Sequence, residues 1–211
     1  MKNRFYLSCQ RDNVGGNMAF HGQNGQGYHT NIDKAHVYTR EEAQRAWELG
    51  RDFDVPISAD HVDALTIWRV DHQYIPYENL LVDGCDQYVA FVKGSWNGND
   101  VYWLTEYRTS DDFSKVKVFS QPDLSDKELV WMPYSVANEQ KRRTFDVSNY
   151  SPKRMTQGAG IKMPGHVKRA KNRKKNPLCR INCPDCGRIN WQEHDYHFEG
   201  CRNVDCEARR F

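Results

Sequence analysis

Five of the chain's seven cysteines fall within its last 33 residues, at positions 179, 183, 186, 201 and 206. Four of them form two pairs, Cys183-Pro-Asp-Cys186 and Cys201-Arg-Asn-Val-Asp-Cys206, with fourteen residues between the pairs. A disulfide framework spreads its cysteines through the domain it staples and belongs to an oxidising compartment. Two close-spaced pairs instead aim four sulfurs at one point, and four thiolates complete the tetrahedral shell of a zinc ion. About thirty residues bury too little surface to fold unaided, so the ion supplies the missing stability. The expected ligands are therefore Cys183, Cys186, Cys201 and Cys206, with Gly187 easing the turn after the first pair. Cys179, His194 and His197 are alternative ligands. The two histidines have an i, i+3 spacing that can hold a metal on a helix, but they read better as packing or surface residues of the aromatic stretch Trp191–Phe198. A closed four-thiolate shell has no open position for a substrate, and Arg180, Arg188 and Arg202 can offset its negative charge.

Charge divides the chain as sharply as cysteine does. Residues 1–140 carry 13 Lys+Arg against 21 Asp+Glu, residues 141–180 carry 13 against 1, and residues 181–211 carry 4 against 6. The balance of +2 thus conceals −8, +12 and −2 in succession. The sequence predicts three parts: an acidic head (1–140) for protein contact, a basic extended linker (141–180), and a zinc-binding module (181–211). Within the linker, Lys168, Arg169, Lys171, Arg173, Lys174 and Lys175 place six cations in eight residues, and Arg180 follows. Such a run neutralises phosphates with little sequence selectivity. No apolar periodicity is evident there, and a strap without buried area stays disordered until a polyanion orders it.

The head reads as α+β, a small antiparallel sheet with short helices. FYLSCQ, MAFHG and HVYT read as strands separated by Gly/Asn turns. Thr39-Arg-Glu-Glu42 predicts a capped helix that Gly50 closes, with Ala43, Ala46 and Trp47 along its core face. A strand is expected at Leu65–Val70, and a hairpin around Asn97-Gly98-Asn99. Tyr28–Thr39 can be set against Tyr107–Ser120 with two residues inserted in the second segment, the endings KAHVYT and KVKVFS agreeing by residue class. Either an internal repeat or the shared composition of two β-rich segments accounts for that match.

The longest apolar runs fall far short of the ~20 residues a membrane span requires, and Met1-Lys-Asn-Arg opens no secretory segment. A cytoplasmic setting is the expectation. No phosphate-binding glycine loop or nucleophile elbow is present. Asp60, His61, Asp63, Asp71 and His72 could hold a metal or run acid–base chemistry, but match no hydrolase signature and read as structural residues. Cys9 and Cys85 read as inert packing thiols.

In the tail, CPDC followed by YHFEGCRNVDCEARRF resembles the zinc-binding motif of the Ogr/Delta-type late transcription activators of phages. Tyr196, Cys201, Asn203, Val204 and Cys206 carry the likeness, over about 30 residues and with a shorter spacer than that family's. The resemblance implies a zinc module in contact with nucleic acid or RNA polymerase, in a phage or prophage protein. Together these features predict a zinc-containing, non-enzymatic regulator that contacts DNA or RNA through strap and tail, and a host RNA polymerase or ribosome through its head. Two rivals are a metal-dependent nuclease or nucleic-acid-modifying enzyme with its site in the head, and an inhibitor whose acidic head mimics nucleic acid.

Overall fold

Val14-Gly15-Gly16-Asn17 turns the chain between β1 (Phe5–Val14) and β2 (Asn17–His21), and Gly15 takes the positive φ, +58°, that such a turn demands. With β3 (Tyr28–His29) and β4 (Asp54–Ser58) they form an antiparallel sheet ordered β3-β2-β1-β4. Before β4 lies α1 (Arg40–Leu49), closed at its start by the expected capping box: Thr39 accepts from the Glu42 amide, and the Glu42 carboxylate accepts from the Thr39 amide at 2.8 Å. After β4 come α2 (Ala59–Asp63) and β5 (Thr66–Val70). The computed structural model describes residues 3–172 and 177–209. It comprises two units, Met1–Val167 and Lys168–Phe211.

The same order of elements then recurs. β6 (Tyr88–Asn97), β7 (Asp100–Leu104), β8 (Thr109–Ser110) and β9 (Leu129–Pro133) form a second sheet ordered β8-β7-β6-β9, followed by α3 (Tyr134–Glu139) and β10 (Lys141–Phe145). Correspondence extends to details that composition does not dictate. The long first strand of each copy carries a bulge, between Cys9 and Asn13 and between Phe91 and Trp96. Phe5 and Tyr38 exchange two main-chain bonds of 2.8 Å, as do Tyr88 and Phe119. Asn31 and Asp112 cap equivalent 3-10 turns, and Asp71 and Asp146 cap a second equivalent pair. The internal repeat therefore spans residues 5–74 and 88–149, far beyond the two segments that suggested it. Lys34–Thr39 does correspond to Lys115–Ser120, but Tyr28 corresponds to Thr109, since His21 pairs with Tyr28 as Leu104 pairs with Thr109. The two-residue insertion is not needed. The first copy instead has α1 where the second has a shorter loop.

The copies exchange their last strands. β5 and β10 pair antiparallel with Trp68 opposite Arg143, two residues that hold equivalent places, so a pseudo-two-fold axis passes between them. Val70 at the end of β5 packs into the second core and Phe145 at the end of β10 into the first. The cores match position by position: Tyr6, Met18, Phe20, Ile32, Ile57 and Val62 in one, Val89, Val101, Trp103, Phe113, Met132 and Ala137 in the other. On the axis the two hairpin turns abut, and a Cβ on Gly15 would lie 2.4 Å from the Gly98 amide nitrogen. Asn17 and Asp100, also equivalent, meet there, the Asn17 amide donating to the Asp100 carboxylate. Arg69, only 2% exposed, reaches Asn17 Oδ1 at 2.6 Å, Asp111 at 2.7 Å and Asp146 at 2.8 Å. Arg142 serves Asp100 at 2.6 Å and Asp71 at 3.6 Å. Charges this deep are tolerable only when paired, and Arg69 meets this through its two terminal nitrogens while its Nε has no hydrogen-bond partner among the described residues.

An extended linker starting at Lys141 does not form. Lys141–Phe145 is β10, Arg142 and Arg143 are ion-pair partners of the head's own carboxylates, and Met155 lies in the first core. Ile161 and Val167 pack with Phe5, Ala43 and Trp47 over the outer face of the first sheet. The segment's few apolar residues show no period because their partners are distant in sequence. The head accordingly runs to Val167 and carries 19 Lys+Arg against 22 Asp+Glu, a balance of −3, while residues 168–211 carry 11 against 6, a balance of +5. α4 (Gly165–Asn172) straddles this boundary. No helix among the described residues is long and apolar enough to cross a membrane.

Candidate metal centre

The second unit is organised by a hairpin, β11 (Cys179–Asn182) and β12 (Ile189–Gln192), whose connecting turn carries the first thiol pair. The Gly187 amide donates to the Cys183 carbonyl at 3.0 Å and the Cys183 amide to the Arg188 carbonyl at 2.8 Å. Gly187 sits at φ +71°, a conformation open to glycine at no steric cost, which is why it follows the pair. The second pair closes a comparable turn: the Cys206 amide donates to the Asn203 carbonyl at 3.2 Å, and the Cys201 amide to that of Ala208 at 2.6 Å.

These turns bring the four sulfurs together. Cys183 Sγ lies 3.6 Å from Cys206 Sγ, Cys186 Sγ 3.6 Å from Cys201 Sγ, and all four lie within 4.8 Å of one another. Four ligands at about 2.3 Å from one ion place their sulfurs about 3.8 Å apart, whereas a disulfide needs about 2.05 Å. The spacing fits a shared metal ion and not a disulfide, and all four thiols are free. Donors already point at the sulfurs: Cys201 Sγ accepts from the Asn203 amide at 3.4 Å and from Asn190 Nδ2 at 3.7 Å. The Arg188 main-chain N–H lowers the Cys186 thiol to about 7, and burial pushes Cys206 up to about 12. An ion takes all four as thiolates and displaces their protons, so its affinity falls as pH falls. A closed shell of this kind holds a fold together and leaves no position for a reacting group.

No family model, curated protein or solved structure matches this chain. Among the described residues, these four thiols are the one group of three or more His, Cys, Asp or Glu side chains close enough to share a metal ion. Cys179 Sγ is turned to the Glu193 carbonyl at 3.9 Å, and His194 and His197 are exposed, with His194 stacked on Tyr196 at 4.9 Å. None of the three joins the cluster.

Two supporting residues escape a motif-based reading. Asn190, 3% exposed, donates to both Cys201 Sγ and the Arg188 carbonyl while its Oδ1 accepts from the Arg202 amide at 3.0 Å, tying the two thiol turns to each other. Gln192 donates to the His194 carbonyl at 2.5 Å and to that of His197, and accepts from the Glu199 amide at 3.1 Å, clamping the loop between the pairs. Their one sequence signal is a polar residue at every second place of a strand, Ile189-Asn190-Trp191-Gln192, with the polar side turned inward.

Of the expected phosphate-binding residues, Lys168, Arg169 and Lys171 are exposed on α4 and Arg180 is exposed on β11. Arg173, Lys174 and Lys175 lie outside the described residues. Among the described residues, Asp60, His61, Asp63, Asp71 and His72 form no group that could share a metal ion. Asp60 and Asp63 pair with Arg4 at 3.5 and 3.2 Å, Asp71 with Arg142, and His72 stacks on Trp96 at 4.3 Å.

Proposed function

We propose that the ion is zinc and that residues 168–211 form a zinc-stabilised, non-enzymatic nucleic-acid-binding module. The observation that carries this reading is the convergence of four free thiols in a unit with almost no other core. An all-sulfur tetrahedral set favours zinc over the oxygen-seeking divalent cations. Nucleic acid is supported by the charge of this unit: a balance of +5, six cations in the sequence between Lys168 and Lys175, and exposed Lys168, Arg169, Lys171 and Arg180. The likeness of the second thiol pair to the Ogr/Delta activators supports a role beside a phage-type transcription machine. The head is the part assigned to a protein partner such as RNA polymerase or the ribosome, supported by exposed Tyr74, Tyr77, Leu81 and Val82 in and beside the segment that joins the two copies.

The test uses the full chain. Elemental analysis is expected to find one zinc per molecule. Binding to a nonspecific duplex should weaken with salt, with a log–log slope of roughly −0.9 for each phosphate neutralised. Joint replacement of Lys168, Arg169, Lys171, Arg173, Lys174 and Lys175 by Ala should flatten that slope and weaken all sequences alike. Unchanged affinity and slope in that variant would remove the nucleic-acid reading and leave only the metal site.

A further inference from the structure

The β11–β12 ladder sets Arg180 opposite Trp191, and Asn182 opposite Ile189. Opposed residues of an antiparallel pair project to the same face, and residues two apart along a strand share it. This face is turned to solvent: Arg180 and Asn182 are exposed, Trp191 is 39% exposed and Ile189 50%. The other face is occupied, by Asn190 against Cys201 and by Gln192 against the following loop. The Trp191 ring is thus not one of the groups that hold the thiols. Beyond β12, Tyr196 is 75% exposed. Arg188 and Arg202 are exposed in the same unit.

An indole and an aliphatic side chain left wet between cations suit a ligand that is flat and apolar in one part and anionic in another. A nucleotide has both parts: a base with a π face and a phosphate. In a duplex the base faces are buried against each other, so only an unpaired base can lie on an aromatic ring. We propose that the outward face of the β11–β12 ribbon binds single-stranded nucleic acid, with a base stacked on Trp191 and Arg180 beside it on the phosphate. This rests on the nucleic-acid reading above and deepens it by naming the strandedness. Cations bind single and double strands alike through phosphate, whereas stacking is open to the single strand alone.

The experiment measures binding of the full, zinc-loaded chain to labelled oligo(dT) and to a duplex of the same length, by fluorescence anisotropy across a salt series. The wild type should prefer oligo(dT) at high salt, where the phosphate contribution has faded. Trp191→Ala should weaken oligo(dT) binding by roughly 5- to 150-fold, the range for truncating a stacked aromatic, with duplex affinity and salt slope unchanged. If Trp191→Ala releases the ion, Trp191→Phe and Trp191→Leu make the comparison instead: both keep an apolar side chain, but only Phe keeps a π face and should keep the affinity. Equal oligo(dT) binding by the zinc-loaded Leu and Phe variants would overturn the inference while leaving the phosphate-binding reading intact, and would point the ring toward a protein partner. Failure of the wild type to bind either probe would overturn both.

Discussion

The two units solve the problem of folding in opposite ways. The first, Met1–Val167, buries two cores that correspond at six positions and lines the axis between them with paired charges. The second, about a quarter as long, buries Cys183, Cys201 and Cys206 with Phe198 and Ala208 packed against them, so its one apolar cluster among the described residues is built around thiols. A chain of this size cannot offset its conformational entropy with apolar area, and on the proposed reading a metal ion held by the four thiols replaces the core it lacks. The difference teaches where a mutation should be felt: in the first unit through packing volume and charge balance, in the second through coordination.

The largest effect expected is therefore metal loss. Structural zinc contributes an apparent 10–16 kcal/mol in small zinc modules. Chelation, or Cys183→Ser with Cys206→Ser, should unfold residues 179–209, read as lost amide-exchange protection, while the head's urea midpoint stays in place. Stoichiometric zinc in the double variant would break the comparison.

Phe145→Ala is the corresponding blow to the first unit, at about 3–5 kcal/mol. Because Phe145 belongs to the second copy but fills the core of the first, protection should fall in both copies and unfolding should remain one transition. Loss confined to residues 88–149 would mean that the exchanged strands do not couple the copies.

Asn17→Asp makes a smaller and pH-dependent change. Burial, opposed by Arg142 and Asn17, already holds the Asp100 carboxyl above the usual carboxylate range. A second carboxyl at the equivalent position would make that worse, costing about 2–3 kcal/mol at neutral pH. A carboxyl whose folded pKa is raised stabilises the fold below its unfolded pKa and loses that contribution as pH rises through the folded value. The variant should therefore approach wild-type stability near pH 4 and fall away as pH rises. A deficit that does not vary with pH would show that the axis depends on the shape of Asn17 and not on its charge.

Local signals settle the outcome where neighbours in the chain make the contacts, although HVYT, expected as a strand, makes only the isolated bridge of Tyr38 to Phe5. Thr39 and Glu42 cap α1 through atoms three residues apart, Asn97-Gly98-Asn99 turns a hairpin, and the short pair spacings aim the thiols. The charge blocks misled for the converse reason. Arg142 and Arg143 look like the start of a free basic strap, yet their partners Asp100 and Asp33 lie 42 and 110 residues away. The repeat shows the same limit. KAHVYT and KVKVFS hinted at it, but Phe20 and Trp103, or Ile57 and Met132, are equivalent only in where they pack.

What the sequence determined by itself was the α+β class, the capped helix, the hairpin and the four thiols that share one point, because each follows from backbone preference or ligand chemistry over a few residues. Only the tertiary structure decided that the head is a duplicated, strand-exchanged pair reaching Val167, that Asn17 meets Asp100 on its axis, and that Trp191 stands on the outward face of the ribbon. Those outcomes depend on which distant surfaces exclude water together, and burial of that kind is non-directional and leaves no periodic mark on the chain.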